Sequence, residues 1–133
     1  MAEHTPGPWI METVATQIGI CHKIGPFPGK RPVDKPRHAC LYADYPSASA
    51  PGDAELLANA RLIAAAPELL RACQTFETWL RREEAGLPGG VVRDTPEGEA
   101  RWREWYDENL RLCAEAQTQA RAAIAKATGD SHD

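Results

Sequence analysis

The placement of proline and glycine limits this chain more than any other feature. Eight of the eleven prolines and five of the ten glycines lie in residues 1–52, where fixed and permissive φ angles interrupt helices and favour turns. That segment is therefore read as strands and loops, and the rest of the chain as helix. ETVATQIGICHKI (12–24) and RHACLYADY (37–45) mix β-branched residues with rough alternation, as two half-buried strands do. A third short strand is expected around Trp9 to Glu12, and GPFPGKRPVDKP (25–36) between the main strands reads as a loop. An antiparallel β-meander of two or three short strands is marginal alone, so it needs a helix on its apolar face.

Helix is expected from Asp53, an N-cap residue type with Glu55 in the first turn, to about Gly86. Thr95-Pro96 starts a second helix, with proline at the first helical position where its missing N–H costs nothing, and this helix runs to about Ala127. Each stretch spans roughly 48 Å at about 1.5 Å per residue, whereas a domain of this size has a radius of gyration of only about 14 Å. Either the first helix bends at Pro67, or the pair projects and finds a partner. Phe76, Trp79 and Leu80 close one helix while Trp102, Trp105 and Tyr106 open the other, so an antiparallel hairpin brings the aromatics together beside the loop. Ala60, Ala64 and Ala66 would then face Ala116, Ala120 and Ala123. On this reading the run RWREWY supplies core aromatics and solvated charges rather than a nucleic-acid surface. The fold class is α+β in a single domain, residues 1–133, with a β-rich part at 1–52 and a long helical hairpin at 53–133.

Residues 59–70, NARLIAAAPELL, carry an asparagine and a proline in an otherwise apolar helical run. At 100° per residue Leu56, Ala60, Ile63, Pro67 and Leu70 form one stripe, with Asn59 at its edge. A buried amide without partners costs about 1–3 kcal/mol. Asn59 is accordingly read either as holding the backbone of the Pro6-Gly7-Pro8 turn or as lining a pocket between sheet and helix. Pro67 cannot donate to the Ile63 carbonyl and its ring crowds that turn, so a kink or a break into two helices is expected at Ala64 to Ala66.

The net charge of −4 argues against a general nucleic-acid binder. Residues 1–52 hold five Lys/Arg against four Asp/Glu and residues 53–133 hold ten against fifteen, which places any anion site in the first part. No window approaches the roughly 18–20 apolar residues of a membrane span, and MAEHTPGPW lacks the pattern of a signal peptide. The expectation is a soluble cytoplasmic protein with its four cysteines reduced and mostly buried. Cys21, His22, His38 and Cys40 are the candidate metal ligands, but Cys21 and His22 point to opposite faces of a strand and no CxxC or HExxH occurs, so no metal is expected. No GxSxG or phosphate-binding glycine loop is present either, which disfavours an enzyme and gives no cofactor.

HTPGPW at residues 4–9, a short β region, and NARLIAAAPELL at 59–70 resemble a group of small uncharacterised bacteriophage and prophage proteins, over about residues 4–73. The loop at 25–36 is longer than that pattern. The resemblance implies a phage origin and an α+β fold, and it carries over no catalytic residue. Phage accessory proteins of this kind commonly act against host systems. One expectation is therefore sequestration of a small anionic, nucleotide-type ligand, such as a host immune signal, by Trp9 and Tyr42 as stacking faces, Arg37 and His38 as charge, and Asn59 for edge hydrogen bonds. The other is an interaction module that grips a host protein or assembles as a phage structural or regulatory oligomer. Both expect a homo-oligomer, because the long helices have little sheet to cover them.

Overall fold

The computed structural model describes residues 2–46, 52–90 and 92–130. Three strands, β1 (Ile10–Ala15), β2 (Ile20–Phe27) and β3 (Arg37–Ala43), precede three helices, α1 (Ala54–Ala64), α2 (Ala66–Ala85) and α3 (Pro96–Thr128). The strands form one open antiparallel sheet in the order β1-β2-β3. The fold is thus α+β. The chain divides into two compact units: residues 1–68 with 122–133, and residues 69–121. Helices α2 and α3 each contribute to both.

In the first unit, ETVATQIGICHKI is not one strand but the end of β1, a tight turn and most of β2. The turn forms because Thr16 has a hydroxyl where the backbone needs partners: its Oγ1 donates to the Gly19 carbonyl at 2.7 Å and accepts from the Gly19 amide at 3.1 Å. The Tyr45 hydroxyl also donates to the Thr16 carbonyl. Gly19 is required by packing, since a Cβ there would stand 2.3 Å from the Ala43 carbonyl oxygen. β2 then runs on through Gly25 and Pro26 to Phe27, with an irregularity in its pairing to β3 between Ile24 and Phe27. The connecting loop therefore starts at Pro28, later than the sequence suggests. Within it Arg31 and Asp34 close a turn: Asp34 Oδ2 accepts from the Arg31 amide at 3.0 Å and Oδ1 from the guanidinium at 2.8 Å. The Arg31 contacts hold the Asp34 carboxyl below its ordinary pKa.

The register assigns the two faces of the sheet. Met11, Thr13, Ile20, His22, Ile24, Ala39 and Leu41 share one face, while Ile10, Glu12, Val14, Cys21, Lys23, Cys40 and Tyr42 share the other. Helix α1 covers the first. Ile24, with no exposed surface, meets Ala60 and Ala64 there, and Trp9, Met11, Phe27, Ala39 and Leu41 pack round them. Burying a side chain of this size contributes about 1.5–3 kcal/mol. The small residues Ala60 and Ala64 thus let α1 approach the sheet. Asp53 caps α1, its Oδ1 accepting from the Leu56 amide at 2.9 Å.

The proline has the effect expected of it. Helix α1 stops at Ala64, Ala65 is its C-cap with its N–H still donating to the Arg61 carbonyl, and α2 begins at Ala66 with Pro67 in its first turn. The apolar stripe is less buried than its periodicity implies: Ile63 and Leu70 are exposed, whereas Arg61 folds against Gly129.

The second unit is an antiparallel pairing of α2 from Leu69 with α3 to Arg121. Thr95 caps α3 by accepting from the Gly98 amide at 3.0 Å. Thr75 donates to Gln119 at 2.7 Å and Arg82 to Asn109 at 2.6 Å, which fixes the pairing. Ala72, Asn109, Leu112 and Ala116 are buried along the seam. The aromatics gather toward the loop end as expected, but chiefly within each helix: Phe76 beside Trp79 with centroids 5.6 Å apart, and Trp102 stacked on Tyr106 at 5.1 Å. Arg93 lies 3.8 Å over the Trp102 ring.

Candidate functional site

Among the described residues, the five expected to bind ligand are spread over both sheet faces and α1. Trp9 belongs to the sheet–helix core, where its ring meets Phe27 edge-on at 5.1 Å and its indole N–H donates to the Thr5 carbonyl at 2.9 Å. Tyr42 lies on the opposite face of the sheet, 62% exposed. His38 is half-buried beside Gly25. Asn59 is exposed on α1, and among the described residues its amide has no hydrogen bond. Among the described residues it has no hydrogen bond to the Pro6-Gly7-Pro8 turn and borders none of the hollows described below. That turn is held differently: Gly7 sits so close to Pro67 that a Cβ would come within 2.8 Å of the proline Cβ. The Trp9 carbonyl accepts from Lys126 at 2.9 Å, and Lys126 pairs with Glu68 at 2.8 Å. HTPGPW and the APE of NARLIAAAPELL thus meet as packing partners.

Arg37 does join other cations. With Lys30, Arg31 and Lys35 it borders an open hollow of about 430 Å³ whose one carboxylate is Asp34. This basic loop is the feature of the first unit best suited to an anion.

Cys21 and Cys40 share the outer sheet face with Tyr42. Only Cys21 is buried; Cys40 and Cys73 are exposed and Cys113 is intermediate, contrary to the expectation of mostly buried thiols. Burial, with Cys40 beside it, pushes the Cys21 thiol pKa up, and the two thiols in turn raise that of Tyr42. His22 is buried on the helix-facing side, sharing a hydrogen bond of 3.0 Å with Thr13 Oγ1, so it is a core residue rather than an exposed imidazole. Among the described residues no three His, Cys, Asp or Glu side chains gather as metal ligands.

The second unit presents the more developed surface. Its two sides differ sharply. On one, Arg111 bridges Glu108 at 2.7 Å and Glu115 at 2.6 Å, bordering an open groove of about 900 Å³ that also touches Arg82, Glu104 and Trp105. Arg111 holds the Glu108 carboxyl below its usual range. Arg111, Glu108 and Glu115 satisfy one another. On the other side, helical periodicity aligns Leu69, Cys73, Phe76 and Leu80 of α2 beside Tyr106, Leu110, Cys113, Gln117 and Ala120 of α3. Phe76 is 50% exposed, Tyr106 44% and Leu110 53%, so this apolar side meets solvent. Sequence reading took Phe76, Leu80 and Tyr106 for core, took Cys73 and Cys113 for mostly buried thiols, and passed over Leu110. The signal was present as a second run of three- and four-residue apolar spacings alongside the one that zips the hairpin.

No helix among the described residues is long and apolar enough to cross a membrane. No curated protein matches the chain, and no solved structure does. A family model described as Salmonella phage P22 protein Y8K6 matches residues 1–131, so the relationship runs through the helical part as well as through the 4–73 stretch that carries the two motifs. The chain belongs to this phage protein family.

Proposed function

We propose that this phage protein is a non-catalytic accessory that works by docking to protein, with the apolar side of its helical hairpin as the working surface. The observation that carries this is the exposure of Phe76, Tyr106 and Leu110 in rows of residues without formal charge, opposite a side where Arg111 bridges Glu108 and Glu115. Large exposed apolar patches mark contact surfaces, because leaving such area in water is unfavourable. The paired variant Phe76→Ser/Leu110→Ser tests it. Circular dichroism is expected to stay unchanged while association with protein, either its own copies or host proteins captured from lysate, falls at least about tenfold, a loss of about 1.4 kcal/mol. Unaltered association in the variant would sink the reading.

A second reading, capture of a small anion such as a nucleotide, is supported by the basic loop at Lys30, Arg31, Lys35 and Arg37. Calorimetry with cyclic and ADP-ribose-type nucleotides checks it, with heat expected for wild type and none for Arg37→Ala; no heat for wild type rejects it.

A further inference from the structure

We infer that the apolar side of the hairpin is covered by the same side of a second copy, completing a four-helix bundle. This rests on the docking reading above and names the occupant.

Each helix of the hairpin carries two apolar seams. In α2, Ala72, Thr75, Trp79 and Arg82 form the seam used inside the chain, and in α3 its counterpart is Trp105, Asn109, Leu112, Ala116 and Gln119. Beside these run Leu69, Cys73, Phe76 and Leu80, spaced by four, three and four residues. On α3 Tyr106, Leu110, Cys113, Gln117 and Ala120 repeat the pattern, spaced by four, three, four and three. That alternation is the spacing of a helix packing along its length against another helix. A helix in a two-helix hairpin uses one such seam, whereas a helix in a four-helix bundle uses two adjacent ones. The hairpin therefore holds half of a bundle, and the missing half has the features of the hairpin itself.

Charge favours like meeting like. The chain carries −4 overall, so two copies repel at a distance. The second seams, however, contain no ionisable acid or base apart from the thiols of Cys73 and Cys113 and the Tyr106 phenol. A basic or acidic partner would find nothing on them to pair with. Half-exposed Phe76, Tyr106 and Leu110, with the partly exposed remainder, offer on the order of 500 Å² of apolar surface per chain. Two copies with their rims then bury on the order of 1,200 Å², the lower bound of a stable specific interface. An interface of this size belongs to a reversible dimer rather than an obligate assembly.

Two exposed thiols supply a test that needs no substitution: Cys73 lies on the second seam and Cys40 on the sheet. Alkylation of the wild-type chain is expected to slow at Cys73 as protein concentration rises through the micromolar range and to stay constant at Cys40. Sedimentation is expected to show a dimer, and Phe76→Glu or Leu110→Glu, each setting an unpaired carboxylate in the interface, to weaken it by about 100-fold or more. A wild-type chain that stays monomeric, or a dimer in which Cys73 keeps its dilute-solution rate, overturns the inference. If that monomer still captures a host protein through Phe76 and Leu110, only the self-pairing falls and the docking reading stands.

Discussion

Gly7 shows how much a single missing methyl group can decide. Its Cα lies against Pro67, so the turn of HTPGPW and the break in NARLIAAAPELL are one packing arrangement. Gly7→Ala forces a Cβ to 2.8 Å from the proline ring, and overpacking of this kind costs about 1–3 kcal/mol. Urea denaturation is expected to report that loss in midpoint, with the slope unchanged. The choice of buried face on α1 explains why Asn59 misled. An amide in an apolar run signals a buried polar site only if its face is buried, and α1 turns Ala60 and Ala64 to the sheet while Asn59 points to water. Periodicity places a residue on a helix; it does not choose which stripe meets the sheet.

At the scale of elements, the break at Ala65, the Thr95 cap and the antiparallel pairing were legible, because proline geometry and capping act locally. The division of ETVATQIGICHKI was not, since the turn depends on the Thr16 hydroxyl and on the space left by Gly19 against β3, contacts that alternation cannot reveal. Asn109 was also invisible. It is 3% exposed within the hairpin seam, accepting from Arg82 at 2.6 Å and donating to Glu83 at 3.0 Å. Asn109→Leu removes both bonds and leaves the Arg82 guanidinium facing an apolar side chain, at a cost of about 1–3 kcal/mol. Adding Arg82→Leu is expected to recover most of that loss, because a polar group whose partner is gone costs more than an apolar pair. A double-mutant cycle by thermal or chemical melting measures the coupling. Additive losses would show that the two side chains act independently.

For the whole molecule, the decisive contact joins residues far apart in sequence. Lys126 donates to the Trp9 carbonyl and to Glu68, so the last turns of α3 belong to the same unit as β1. Lys126→Met keeps the aliphatic stem but leaves that carbonyl and the carboxylate without a donor, and Glu68 Oε2 already lacks a partner. A loss of about 1–3 kcal/mol is expected, with faster amide exchange in β1 and α1 than in the part of the hairpin near Asn109. Equal acceleration throughout would show that the two units open together. No sequence pattern predicted this clasp, since a lysine near a helix end is ordinarily solvated. The clasp also bears on truncation: a chain cut after Arg121 keeps every residue of the hairpin but loses Lys126, so the sheet unit, made of the opposite end of the sequence, is the part that the cut weakens.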